Sequence, residues 1–413
     1  MRIEIPYGRG HTAVDIPDSN ILEVIRTEKP GGPGDEQKTI VEALKKPVAS
    51  RPLVELAKGK KSAVILVSDV TRPCPSHRFL PFIVDELERA SVTDISIVFG
   101  LGIHRGQTDT EKRQLVGENI AARMRRLVDS NQGEFEPVGH TGAGTPIEVC
   151  REVLGRDLLI ATGNIEYHYF AGYSAGAKAL LPGVCSRRTV RANHSLMLDD
   201  RAVAGNYADN PVRKDIEDAG RAVRIDFLFN VILDEKKRII SAVAGKNNEA
   251  HVKGIKLYDA LFKKAIRAKA DIVITSPGGH PKDMNLYQSQ KALDNVKEIV
   301  KDGGEIILVA SCEERYGEKV FEEWMADVRD YEKLRQRIRT EFVLGGHKAV
   351  AISKLLSSTR VLLYSCFSQE ETERLGFIKA GPLQSYIDRR IAASPDLQVV
   401  VVPGGSFVKF QGF

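Results

Sequence analysis

Cysteine is scarce and unpaired in this 413-residue chain. The five are Cys74, Cys150, Cys185, Cys312 and Cys366; the number is odd, none forms C-x-x-C and none sits near another. A disulfide framework and a zinc knuckle are thereby disfavoured, and a reducing compartment is the default. No apolar run approaches the ~20 residues of a membrane span. The N-terminus, Met1-Arg2-Ile3-Glu4-Ile5-Pro6, alternates apolar and charged residues as a first strand does, not as a signal peptide does. The expectation is a cytoplasmic protein without a membrane partner. Charge of one sign is missing too. Sixty Lys and Arg against 55 Asp and Glu leave +5, spread along the chain. A nucleic-acid surface wants a concentrated basic stripe, so no nucleic-acid partner is expected. There is no G-x-x-x-x-G-K-[ST], no G-x-S-x-G and no repeat period. Gly142-x-Gly144 lacks the third glycine and the strand–helix setting of a nicotinamide site.

What is present is strand–helix alternation. Runs rich in Val and Ile recur at Ser62–Ser68, Asp94–Phe99, Leu158–Thr162, Asp271–Thr275, Glu305–Ala310, Arg360–Tyr364 and Gln398–Val402. Helical periodicity marks Pro81–Ala90 and Leu293–Lys301. This pattern predicts an α/β fold with parallel or mixed sheets. Phe227–Asp234 and Arg238–Val243, joined by Glu235-Lys236-Lys237, read as a β-hairpin, and Gly31-Gly32-Pro33-Gly34 as a loop. A helix over Ala260–Lys269 sets the boundary between an N-terminal domain, residues 1–265, and a C-terminal domain, residues 266–399. The tail 400–413, with Pro403-Gly404-Gly405, is free to return to the first domain.

In open α/β sheets ligands sit beyond the carboxyl ends of strands, and four motifs here follow predicted strands. Ser68-Asp69-Val70-Thr71-Arg72-Pro73 offers a carboxylate, a hydroxyl and a guanidinium on one turn. Arg72 suits a carboxylate or phosphate; an Asp–Arg surface pair is the plainer alternative. Gly100-Leu101-Gly102-Ile103-His104-Arg105 places His104 on a strand-to-helix loop, ahead of a capping box at Thr108–Glu111. From Gly163 to His194, His168 and His194 bracket Lys178 among Gly172, Gly176 and Gly183. A lysine there is costly to bury without a partner or a chemical role; otherwise it lies on a helix surface. The spacing of His168, Lys178 and His194 is too wide for an H-x-x-x-H zinc helix. After Ser276-Pro277-Gly278-Gly279-His280-Pro281, Gln288 and Lys291 share a helix face, an amide and an ammonium suited to a hydroxy-carboxylate.

These motifs resemble the lactate racemases that carry a nickel-pincer nucleotide. The agreement runs through Asp69-x-Thr71-Arg72-Pro73, Gly102-Ile103-His104-Arg105, His168-x-x-Ala171-Gly172-Tyr173-Ser174-x-Gly176-x-Lys178, Pro182-Gly183-Val184, Asn193-His194 and Tyr287-Gln288-x-x-Lys291. The resemblance implies two α/β domains with the active site in the cleft between them. It implies a cofactor, Ni(II) pyridinium-3,5-bisthiocarboxylic acid mononucleotide, covalently bound through Lys178 as a thioamide, with His194 completing the metal coordination. It also implies maturation enzymes as partners. His104 and His168 match the catalytic acid/bases, and Arg72, Gln288 and Lys291 match substrate contacts. Asp69 and Thr71, with Arg72, match the loop that helps bind the cofactor. Ala175 stands where many relatives carry glycine, and is expected to need a negative φ or to tolerate modest strain.

The implied chemistry suits these residue types. The α-C–H of a 2-hydroxy acid is unactivated, and hydride removal avoids a carbanion. One imidazole takes the hydroxyl proton and the other returns a proton to the opposite face, each working near its pKa. Imidazole and sulfur suit a square-planar nickel, and the cofactor carries the hard step. The expected function is racemisation or epimerisation of a 2-hydroxy acid, lactate first among candidates. The alternatives are a non-catalytic protein that binds the cofactor or an organic acid, which needs neither base, and a Schiff-base lysine enzyme, which leaves His194 unexplained.

Overall fold

The computed structural model describes residues 1–26, 35–72, 74–234, 236–340, 343 and 345–410. The predicted Gly31–Gly34 loop, Pro73, Glu235 of the hairpin turn and the last three residues of the tail lie outside them. The chain forms two compact units, Lys29–Leu261, and Met1–Glu28 together with Phe262–Phe413.

The Lys29–Leu261 unit is built on a six-stranded sheet. Ser62–Ser68 lies between Asp94–Gly100 and Leu158–Asn164; Arg126–Asp129 and Phe227–Leu233 extend the parallel set, and Ile239–Gly245 closes one edge antiparallel. The central strand is apolar on both faces because both are covered. Ala63, Ile65 and Val67 pack with Phe79, Ile83 and Leu87 of the helix Ser76–Arg89. Val64 and Leu66 pack with Leu180, Leu181, Val190 and Ile216 on the other side. The hairpin from Phe227 to Gly245 forms as the sequence predicts.

The second unit carries its own six-stranded sheet, in the order Ile378–Lys379, Arg360–Tyr364, Val300–Val309, Ala270–Thr275, Val399–Val402, Ile21–Val24, all pairs parallel. This arrangement differs from the division drawn at residue 265. Ile21–Val24 pairs with Val399–Val402, and Ile3, Ile5 and Val14 of the hairpin Arg2–Tyr7/Gly10–Asp15 join a core with Ile272, Ile307 and Val401. The first residues therefore belong with the C-terminal sheet. The tail also stays in this unit: Lys409–Phe410 pairs with Lys263–Lys264. That pairing ends the predicted Ala260–Lys269 helix early, and the helix is Asn247–Phe262. Leu293–Lys301 is likewise split. The helix is Leu286–Val296, one 3-10 turn follows, and Val300 opens a strand.

Candidate functional site

Three neighbouring parallel strands, Leu158–Asn164, Ser62–Ser68 and Asp94–Gly100, deliver their following loops to one edge of the first sheet. The loop after Ser68 is a turn closed by Arg72 N–H on Asp69 C=O, at 3.1 Å. Asp69 is buried inside it, while Thr71 and Arg72 are exposed. The Asp69 carboxylate faces His104 on the next loop: Oδ2 lies 2.6 Å from Nδ1, and Oδ1 accepts from Thr71 Oγ1 at 2.8 Å. A carboxylate only accepts, so Nδ1 of His104 carries a proton, and in the neutral ring Nε2 keeps its lone pair. The loop itself is braced. His104 N–H bonds Leu101 C=O, Gly102 N–H bonds Gly183 C=O, and the predicted capping box of Thr108 and Glu111 starts the helix Asp109–Val116.

Beyond Asn164 the chain makes a short hairpin, Tyr167–His168 against Gly172–Tyr173. Asp259 ties both sides of it, accepting from Tyr167 Oη at 3.0 Å and Tyr173 Oη at 2.8 Å. His168 is half-buried at its end. Its Nδ1 accepts from Ala171 N–H at 3.3 Å, which leaves the ring proton on Nε2. The two histidines thus both present Nε2, as an acceptor at His104 and as a donor at His168. Phe170 stands edge-on to both His168 and His194, with centroids 4.6 and 4.9 Å away.

Lys178 lies in the 3-10 turn Gly176–Ala179, and His194 near the end of the helix Arg187–Ser195. His194 is buried, and its Nδ1 meets Asn193 Oδ1 at 3.1 Å. Asn193 Nδ2 is fixed in turn by Asp215 Oδ2, at 2.9 Å, whose other oxygen accepts from Thr141 Oγ1. Burial, then the nearby Lys178 and Arg72 cations, pushes His194 down to about 3. Burial, then Lys178, Arg72 and His194, holds His168 well below the usual imidazole range. Burial, then Arg72 and Arg213, likewise pushes Lys178 well down, against a smaller opposing pull from Glu166. Arg72, His168, Lys178 and His194 therefore lie within electrostatic reach of one another. The two imidazoles are held neutral near pH 7, and the lysine is pushed toward its neutral form.

Ala175 takes the second of its two expected courses. It has φ 60° and ψ −160°, a strained shape for alanine, while Gly176 N–H and the carbonyls before it are taken by remote side chains. Gln288 and Lys291 lie in the second unit, one turn apart on the helix Leu286–Val296, whose first turn is capped by Asn285. Arg213, Asp215, Glu217, His251 and Asp259 carry no signal in the sequence, since none stands in a motif.

The family models for a lactate racemase N-terminal domain and a lactate racemase C-terminal domain match residues 7–205 and 265–408. The chain belongs to the lactate racemase family. It is 34% identical over 373 residues to the lactate racemase of Thermoanaerobacterium thermosaccharolyticum, covering 87% of each chain. Against that of Lactiplantibacillus plantarum it is 34% identical over 348 residues, covering 82% of each. The apoprotein structure of the Thermoanaerobacterium racemase superposes with TM-score 0.90 at 32% identity, over the whole of both chains. A Thermotoga maritima protein at 18% identity, with TM-score 0.63 over 93% of this chain and 99% of its own, shares the fold. Membership of the lactate racemase family makes the chain an isomerase.

Proposed function

We propose that this chain racemises or epimerises a 2-hydroxy acid, with lactate, the acid named for its relatives, as first candidate. The nickel-pincer nucleotide would be held by Lys178 and His194. The observation that carries the reading is the pair of histidines that present Nε2 in opposite roles, His104 backed by Asp69 and His168 backed by Ala171 N–H.

The residues fit such a group. Burial pushes Lys178 toward the neutral amine, the nucleophilic form that is acylated. His194 is a neutral imidazole whose ring is oriented by Asn193 through Nδ1, and it would hold the metal. When bound, the nucleotide supplies a hydride acceptor. His104 takes the substrate hydroxyl proton at Nε2, His168 delivers a proton to the oxygen of the opposite enantiomer, and the roles exchange in reverse. Arg72 grips the carboxylate, and Gln288 and Lys291 are further substrate contacts. Asp69 and Thr71 contribute to the cofactor-binding loop while Asp69 orients His104. His168 must become cationic to act as the acid. A bound carboxylate offsets the neighbouring Arg72 charge and so raises the His168 pKa.

No helix among the described residues is long and apolar enough to cross a membrane; the proposed compartment is the cytoplasm. The enzymes that build the nucleotide are the proposed partners. The test is chiral chromatography of enantiopure lactate and larger 2-hydroxy acids after incubation with cofactor-loaded chain. Loss of optical purity is expected. Loaded chain that leaves every acid untouched would be a binding protein instead. His104→Ala and His168→Ala should each stop racemisation with nickel retained, and Lys178→Ala should lose the covalent adduct by intact mass.

A further inference from the structure

Behind the loop that carries Lys178 lies a buried polar cluster that the proposed chemistry does not use. Its members come from two helices, Pro211–Val223 and Asn247–Phe262. Arg213 is buried and donates to Ala171 C=O through Nε, at 3.2 Å, and to Tyr173 C=O through Nη2. Its Nη1 donates to Glu217 Oε1 at 3.3 Å. His251 has no exposed surface, and its Nε2 donates to Ser174 C=O at 2.9 Å. Among the described residues the His251 Nδ1 has no hydrogen-bond partner, and it lies 4.0 Å from Glu217 Oε1. On the strand side, Asn230 Oδ1 accepts from Gly176 N–H at 3.1 Å.

These contacts bracket Ala175. Its φ of 60° and ψ of −160° belong to a region that essentially only glycine occupies. A shape of this kind persists only where its surroundings over-determine it. The next residue shows how closely His251 approaches: a Cβ on Gly176 would stand 2.4 Å from His251 Nδ1. Lys178 N–H then bonds back to Ala175 C=O at 3.2 Å, so the direction of the Ala175 peptide is passed to the lysine.

We propose that His251 is a positioning residue for Lys178: lodged against Gly176 and bonded to Ser174 C=O, it holds the Ala175 peptide in a shape alanine does not keep unaided, and so aims the lysine. Arg213 secures the preceding carbonyls of the same loop. The functional meaning rests on Lys178 as the tether, whereas the clamp itself is a property of the cofactor-free chain.

The test uses the full apo chain. Lys178 acylation by an N-hydroxysuccinimide ester at neutral pH is read by peptide mass spectrometry against the exposed Lys60. The variants are His251→Leu, His251→Gln, which keeps an N–H near the position of Nε2, and His251→Leu combined with Ala175→Gly. The leucine variant should label Lys178 at least fivefold more slowly than wild type, because a lysine released toward water is protonated, with Lys60 unchanged. The glutamine variant and the double variant should return to within twofold of wild type, the first by restoring the bond and the second by removing the strain it opposes. Should the leucine variant not fold, His251→Asn, whose shorter amide withdraws from Ser174 C=O, takes its place. Unchanged or faster labelling in the single variant overturns the proposal, and so does a double variant as slow as the single one. An adduct that survives Lys178→Ala would instead remove the tether reading and leave the clamp standing.

Discussion

His104 Nδ1 and Asp69 Oδ2 stand 2.6 Å apart, with Thr71 Oγ1 donating to the other carboxylate oxygen. The pair fixes the tautomer of an imidazole that would otherwise be free to present either nitrogen. Asp69→Asn keeps the shape but offers an N–H where an acceptor stood. If His104 is a base, racemisation by loaded enzyme should fall about 10²-fold or more, the usual size of a general-base contribution. The rate is expressed per bound nickel, measured on the same sample, which separates loss of the base from loss of the cofactor. Full activity in the asparagine variant would separate Asp69 from the chemistry.

Phe170 is 3% exposed and touches the rings of both His168 and His194. Phe170→Ala removes this spacer and should cost about 3–5 kcal/mol of stability, the range for a buried phenylalanine. Urea denaturation checks the figure. Phe170→Leu refills much of the space and should cost less.

Ala175 gives a prediction of opposite sign. A non-glycine residue in its conformation costs roughly 1–3 kcal/mol, and glycine returns about 0.5–1 kcal/mol of that in unfolded-state entropy. Ala175→Gly should therefore stabilise the chain by about 1 kcal/mol, read as a rise in the urea midpoint at unchanged m-value. A drop in the midpoint would show that the surrounding contacts leave alanine unstrained.

The strands were legible because their chemistry is local. Ser62–Ser68 and Arg360–Tyr364 have the bounds that their apolar runs predict, since each is a buried strand ended by a polar loop. The helix after Asn285 was misplaced because Ile299 and Val300 suit a helical face and a strand equally, and only pairing with Ala270 decides. Placing the chain's first residues required knowing that Ile21–Val24 pairs with a strand that begins 378 positions on, which no periodicity reveals. In the site, glycines and a capping box marked the His104 loop. The partners that shape the Lys178 loop were invisible: Arg213 reaches back 40 residues to Tyr173, and His251 reaches back 77 to Ser174.

His251 also makes a pH prediction. Burial first, then the Arg213 cation, pushes its pKa down to about 3, although its bond to Ser174 C=O pulls upward. In the unfolded chain it returns to about 6.5. Between those values the unfolded state binds the extra proton, so stability rises with pH there. The contribution is complete above the unfolded pKa and is lost as pH falls toward the folded one. The slope for one such group reaches about 1.4 kcal/mol per pH unit. His251→Gln deletes this titration and keeps the Ser174 contact. Its unfolding free energy, followed by urea from about pH 7 to pH 5, should decline less steeply than wild type by up to that amount, with the difference confined to the acid side. Parallel declines would mean that the buried imidazole keeps its ordinary affinity for protons, and that the cluster around Glu217 accommodates its charge.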